Sequence, residues 1–271
     1  MGQASSDRAP ALIHHVRAGA GAPPVVFVHG FGCSHTDWRA QVAHLAPRHA
    51  TVAVDLPAHG ATPAGGEACS IERFGREVAD LLRELALPPA VLVGHSMGCR
   101  VVLEAALVAP SRVAGIVLVD GSCFAPGSAD AFTSRFAAGQ YGALVRGLFE
   151  QMFTPRSDPA VRAAVIERAL ALPADIGQAL LVSLARYDED RLGPALERVA
   201  KPLMALQTTY TNERRERAPL RAGQTTPYLD FIRAKAPQAR IEVIADTGHF
   251  PQLDAAAETN RLLASFAGSL A

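Results

Sequence analysis

Four uninterrupted apolar runs in the first half of the chain, each closed by a turn residue, constrain the fold most. Val25-Val26-Phe27-Val28 is closed by Gly30, Thr51-Val52-Ala53-Val54 by Asp55-Leu56-Pro57, Ala90-Val91-Leu92-Val93 by Gly94, and Val113 to Val119 by Asp120-Gly121. Runs this short, apolar at every position, suit strands buried on both faces. Helical patterns lie between them. From Ile71 to Leu85 the apolar residues fall at 71, 74, 78, 81, 82 and 85, one face of a helix, with Ser70 before it as a cap and Pro88-Pro89 after it as a stop. Met97 to Val108 reads as a second helix, stopped by Pro110. Strands alternating with helices predict an α/β fold, with a mostly parallel central sheet and flanking helices.

The character changes at about Phe124. Strand-like runs vanish, and Leu144 to Phe153, Val161 to Leu170 and Ile176 to Leu184 read as helices separated by Pro155, Pro159 and Pro173. Strands resume at Pro202 to Leu206 and Arg240 to Ile244, and a last helix is expected from about Ala255 to Phe266. The expected organisation is a core of residues 1–122 and 200–271, with residues 123–199 inserted as a helical cap.

Composition bounds the function. The chain has 271 residues, 49% of them hydrophobic and 19% charged, enough to bury a sizeable core. Lys+Arg and Asp+Glu balance at 26 each, so neither nucleic acid nor an anionic membrane is expected as a partner. Cys33, Cys69, Cys99 and Cys123 show no zinc spacing and no C-x-x-C pair, which fits reduced thiols and a cytoplasmic location. A pairing among Cys33, Cys99 and Cys123 stays open, because all three lie close to the motifs below. No early apolar run is long enough for a signal peptide or membrane span. Met1-Gly2-Gln3-Ala4-Ser5-Ser6 fits the permissive myristoylation pattern, but no polybasic patch follows to add a second anchor.

Gly94-His95-Ser96-Met97-Gly98 is a G-x-S-x-G motif between a buried strand and a helix. That context defines a nucleophile elbow, in which a strained turn lifts the serine hydroxyl above the sheet edge. The helix behind it directs its positive end at developing negative charge. With His29-Gly30-Phe31-Gly32 after the first strand and Asp55-Leu56-Pro57-Ala58-His59-Gly60 after the second, the chain resembles the α/β-hydrolase superfamily along nearly its whole length. Ala58 stands where that family commonly has glycine. The resemblance implies Ser96 as nucleophile and the backbone N–H groups of Phe31 and Met97 as an oxyanion hole, where two fixed dipoles stabilise a tetrahedral intermediate.

His249, in Asp246-Thr247-Gly248-His249-Phe250 just after the last predicted strand, is the expected general base. His14, His15, His35, His44 and His49 read as surface or loop residues, His29 as a structural hydrogen-bonder, and His95 as pointing away from Ser96. The acid is where the chain departs from the family. The stretch Leu206 to Glu213 lacks the usual Gly-x-x-Asp turn. Asp120, at the end of the strand after the nucleophile helix, is favoured as the acid, with Glu213 the alternative and the rest of Glu213-Arg214-Arg215-Glu216-Arg217 a solvated charge run.

The expected activity is hydrolysis of a carboxylic ester through an acyl-enzyme, with no cofactor or metal required, on a small-molecule substrate with an apolar part. Aromatic and aliphatic residues of the insert, among them Phe132, Phe136, Leu148, Phe149 and Met152, pack on the core or face that substrate; Trp38 is expected in the core. Carbon–carbon, lactone or amide hydrolysis on the same residues, and a slow-turnover ligand receptor, are the alternatives. Ser96 argues against relatives that use an aspartate nucleophile.

Overall fold

The computed structural model describes residues 13–214 and 216–271; the Met1–Ser6 lipidation pattern lies outside them. Strands β1 (His15–Ala18), β2 (Val25–Val28), β3 (Thr51–Val54), β4 (Ala90–His95), β5 (Val113–Val119) and β6 (Leu203–Gln207) belong to the main sheet; β7 (Thr209–Thr211) and β8 (Arg217–Pro219) form a separate hairpin; β9 (Arg240–Val243) returns to the main sheet. The seven-stranded order is β1-β3-β2-β4-β5-β6-β9, with β1 antiparallel to β3 and every other pair parallel. The expected α/β class, a mostly parallel sheet with flanking helices, is what forms.

Alternation explains why the apolar runs had to be continuous. Val26, Val28 and Leu92 face one core layer, while Val25, Phe27, Val91 and Val93 face the other. Each strand therefore buries both of its sides. The second layer is closed by α1 (Arg39–Leu45) and the C-terminal helix, through Trp38, Leu45, Leu262 and Phe266. The first layer is covered by α2 (Ile71–Glu84), capped as expected by Ser70 Oγ accepting from the Arg73 N–H, and by α3 (Met97–Val108).

Between β5 and β6 come α4 (Ser128–Ala137), α5 (Tyr141–Glu150), α6 (Pro159–Ala171), α7 (Ala174–Asp190) and α8 (Leu192–Arg198). Sequence periodicity predicts α5, α6 and part of α7; α4 is rich in alanine and small polar residues, and α8 has only seven residues. After β8 come α9 (Pro227–Lys235), α10 (Pro251–Asp254) and α11 (Ala256–Gly268). No helix among the described residues is long and apolar enough to cross a membrane. All four cysteines are unpaired.

Ala58 carries the cost of replacing a glycine. Its φ is 65°, in the left-handed region. A Cβ there costs about 1–2 kcal/mol, which the greater unfolded-state entropy of glycine offsets by about 0.4–1 kcal/mol. Ala58→Gly is therefore expected to gain about 0.5 kcal/mol, raising Tm by about 1–2 °C. A lower Tm by calorimetry would mean that the half-buried methyl group outweighs the strain.

Candidate active site

Ser96 sits between β4 and α3 at φ 54°, ψ −111°, a strained conformation for a non-glycine residue. The flanking glycines make the turn possible. A Cβ on Gly94 would overlap the Gly98 carbonyl, and one on Gly98 would run into the Val28 and His29 carbonyls. The helix thus packs against the strand tops, and no larger residue fits at either position. Arg100 braces the same turn: Nη1 donates to the Ser96 carbonyl and Nη2 to the Ser122 carbonyl, while its buried charge pairs with Asp188 of α7 at 2.6 Å.

Met97 opens α3, so its N–H is one of the orphan donors at a helix start; the Phe31 N–H is likewise unpartnered among the described residues. Two histidines hold the loop that carries Phe31. His29 Nε2 accepts from the Leu56 N–H, so its Nδ1–H donates to the Gly30 carbonyl. His59 Nε2 accepts from the Gly32 N–H, and its Nδ1–H donates to the Pro57 carbonyl. Burial keeps both neutral, with His59 pushed down to about 4. From α6, Arg168 adds a bond to the Gly32 carbonyl and a pair with Asp37.

His249 follows β9 in a turn, where its own N–H donates to the Met152 carbonyl. Its Nδ1 lies 2.6 Å from Asp120 Oδ2. The carboxylate accepts, so Nδ1 carries the proton and Nε2 is left as the basic nitrogen. Asp120 directly follows β5 and is fully buried. Its Oδ1 accepts from the N–H groups of Thr208 and Thr209, each at 2.7 Å, and its Oδ2 from the Thr209 hydroxyl at 2.5 Å. Burial alone pushes this carboxyl up, but the His249 hydrogen bond and nearby positive charge outweigh it and hold the group below the usual range. The structure thus brings Asp120 to His249 and does not bring Glu213, which is exposed on the loop between β7 and β8.

Ser96 and His249 line one cavity of about 80 Å³, with no direct hydrogen bond between their side chains; such contacts are often long before a substrate binds. Phe31, Met97 and Phe250 line it from the core side; Phe124 from the segment after β5, and Leu148, Phe149, Met152, Leu181 and Leu184 from α5, α7 and the turn after α5. Trp38 is fully buried away from it. His95 also lines the cavity, and its Nε2–H donates to the His249 carbonyl at 2.8 Å. It steadies the backbone of its neighbour, and burial pushes it down to about 3.

Arg217 departs furthest from the sequence expectation. It is not part of a solvated charge run: its side chain is only 16% exposed, and Nη1 lies 2.7 Å from Thr209 Oγ1, 3.2 Å from His249 Nδ1 and 3.6 Å from Asp120 Oδ2. The β7–β8 hairpin folds it inward, and a three-residue strand has too little periodicity to reveal this. Burial, then the Arg217 charge, push His249 down against the pull of Asp120, to about 4. Among the described residues one group offers atoms at metal-ligand spacing: His14 and His35 Nδ1 with the buried Asp55 carboxylate, within 4.8 Å of one another. None of the three lines this cavity. Asp55 also accepts from the His35 and Ala61 N–H groups, which makes the cluster a knot between the loops after β2 and β3.

Residues 25–262 match the family model described as "Alpha/beta hydrolase family". The chain is 28% identical over 265 residues to the dihydrolipoyllysine-residue acetyltransferase component of the acetoin cleaving system of Cupriavidus necator; the match covers 94% of this chain and 66% of that relative, just under two thirds of its length. It is 27% identical to the sn-1-specific diacylglycerol lipase ABHD11 of Mus musculus, over 93% of this chain and 84% of the relative. A thermophilic esterase from Thermogutta terrifontis superposes with a TM-score of 0.77 at 22% identity, covering 95% of this chain and 93% of the esterase, a likeness of fold. With strand order, elbow and matched span in agreement, the chain belongs to the α/β-hydrolase family.

Proposed function

We propose that the protein is a serine hydrolase that cleaves a carboxylic ester through an acyl-enzyme. The observation that carries this reading is the strained Ser96 sharing one small cavity with a His249 whose Nδ1–H is committed to Asp120. In this reading Ser96 Oγ attacks the carbonyl carbon while His249 Nε2 takes its proton. The N–H groups of Phe31 and Met97 stabilise the oxyanion. Collapse expels the alcohol, protonated by His249, and leaves the acyl group on Ser96. Water then attacks, giving its proton to Nε2, and the carboxylic acid leaves as Ser96 is reprotonated. Asp120 holds the imidazole tautomer and stabilises imidazolium. Residues 123–199 act as a cap, and its apolar lining suits a substrate with an apolar part.

A chain-length series of chromogenic esters tests the reading, with mass spectrometry of the intact protein after quenching. Turnover with an acyl adduct on the Ser96 peptide is expected, fastest for short acyl chains because the cavity is small. Turnover without an adduct on Ser96 would overturn it.

The pH profile adds a second check. The base works only when neutral, and a lowered pKa keeps it neutral further into acid. For an uncharged ester, kcat/KM should hold down to about pH 5 and fall with a midpoint near pH 4. Asp120, Arg217, Arg100 and His95 are the charged or titratable groups facing His249. A midpoint at 6.5 or above would show that the Arg217 charge is compensated in the free enzyme.

A further inference from the structure

Arg217 is badly placed for a general base that must become a cation. Its Nη1 is a donor only, and His249 Nδ1 already donates to Asp120, so their 3.2 Å approach is a charge contact and not a hydrogen bond. As Ser96 loses its proton, imidazolium would form beside guanidinium, with the single Asp120 carboxylate between them. The other cation near the site, Arg100, has its own counter-ion in Asp188. The oxyanion that forms with the imidazolium is held by the Phe31 and Met97 N–H groups, so at His249 Nδ1 two cations share the single Asp120 carboxylate.

The rest of the guanidinium is unspent. Only Nη1 has protein partners; Nε and Nη2 have none among the described residues. Arg217 lines both the cavity around Ser96 and an adjoining groove of about 560 Å³, and the two share Ser122, Phe124, Leu148 and Met152. A forked donor with its Nε–Nη2 edge free on a mostly apolar cavity is a strong site for a planar anion. Resting on the ester-hydrolase reading above, we propose that Arg217 binds a carboxylate of the substrate, so that the enzyme acts on esters or lactones carrying an acid group, and that this carboxylate offsets the Arg217 charge beside His249 when the imidazole is protonated. Arg217 then sets specificity twice, by anchoring the acid and by making the base more effective when the acid is present.

Matched methyl esters with and without a terminal carboxylate test this: monomethyl succinate, glutarate and adipate against methyl butyrate, pentanoate and hexanoate. The wild type is expected to favour the acidic member of at least one pair by about 10- to 100-fold in kcat/KM, with part of the gain in kcat. Arg217→Gln should erase that preference; Arg217→Lys, with the charge but no fork, should fall between. Neutral esters preferred throughout, or both series falling equally in a folded Arg217→Gln protein, would overturn the carboxylate site and leave the ester reading standing. If a folded wild type turns over no ester, the ester reading fails instead. Calorimetry of monomethyl glutarate with the Ser96→Ala protein then decides the anion site alone. Binding that weakens about 10-fold or more when Arg217→Gln is added supports it, and no binding overturns it.

Discussion

Ser96→Ala is expected to lower kcat on esters by on the order of 10⁵–10⁶-fold while leaving Tm within about 2 °C of the wild type. The catalytic loss follows from the chemistry. Without Oγ no acyl-enzyme forms, and the remaining N–H donors and cavity can assist only direct attack by water, which retains about 10³–10⁴-fold over the uncatalysed rate. The structural indifference follows from the backbone. Alanine has the same Cβ as serine, so the strain at φ 54° is unchanged. The turn is held by Gly94, Gly98 and the Arg100 bonds, none of which involves Oγ. Glycine at position 96 is the informative contrast. It should be equally inactive yet more stable, by up to about 1 kcal/mol, because the left-handed conformation no longer opposes a Cβ. Substantial ester turnover by a clean Ser96→Ala preparation would remove Ser96 from the mechanism.

What could be read in the sequence follows from how burial is encoded. β2, β3, β4 and β5 sit between two core layers, so apart from Thr51 and His95 at strand ends their residues are apolar and the runs announced themselves. β1 reads His-Val-Arg-Ala because it is an edge strand with partly exposed side chains, and it left no such trace. The β7–β8 hairpin is three residues against three, one of them proline, too short for any periodicity. The site divides along the same line. Ser96 and His249 stand in turns whose glycines are dictated by local geometry, so motif and position sufficed. Asp120 could be named because it directly follows a readable strand. Arg217 could not: within Glu-Arg-Arg-Glu-Arg it looks like every other surface charge, and only the hairpin's fold back onto Thr209 buries it. Arg100 and Asp188 escaped for a related reason. Each looks like a solvent-facing helix residue until α7 closes over α3 and pairs them.

Asp120→Asn should lower kcat/KM by about 10⁴-fold, while Glu213→Gln changes it less than about twofold. The asymmetry rests on the donors around Asp120. Its Oδ1 accepts from the Thr208 and Thr209 N–H groups, which are fixed in the backbone. Asparagine must keep its carbonyl oxygen there, because turning the amide over would set NH₂ against two N–H donors. The NH₂ group then faces His249 Nδ1 where the carboxylate oxygen had been, and donates to it. That selects the other imidazole tautomer, with its proton on Nε2, pointed at Ser96 and unable to accept. Electrostatics add to the loss. With Asp120 uncharged, Arg217 keeps no counter-ion within 4 Å among the described residues, and its charge opposes imidazolium more strongly. Part of the lost activity should therefore return in the double variant Asp120→Asn with Arg217→Gln, assayed on an uncharged ester, a non-additivity that a purely structural role for either residue would not produce. Glu213 lies exposed on the hairpin loop and touches none of this. If Glu213→Gln lost more activity than Asp120→Asn in folded proteins, the loop would have to close over His249 in the working enzyme and the acid would be Glu213.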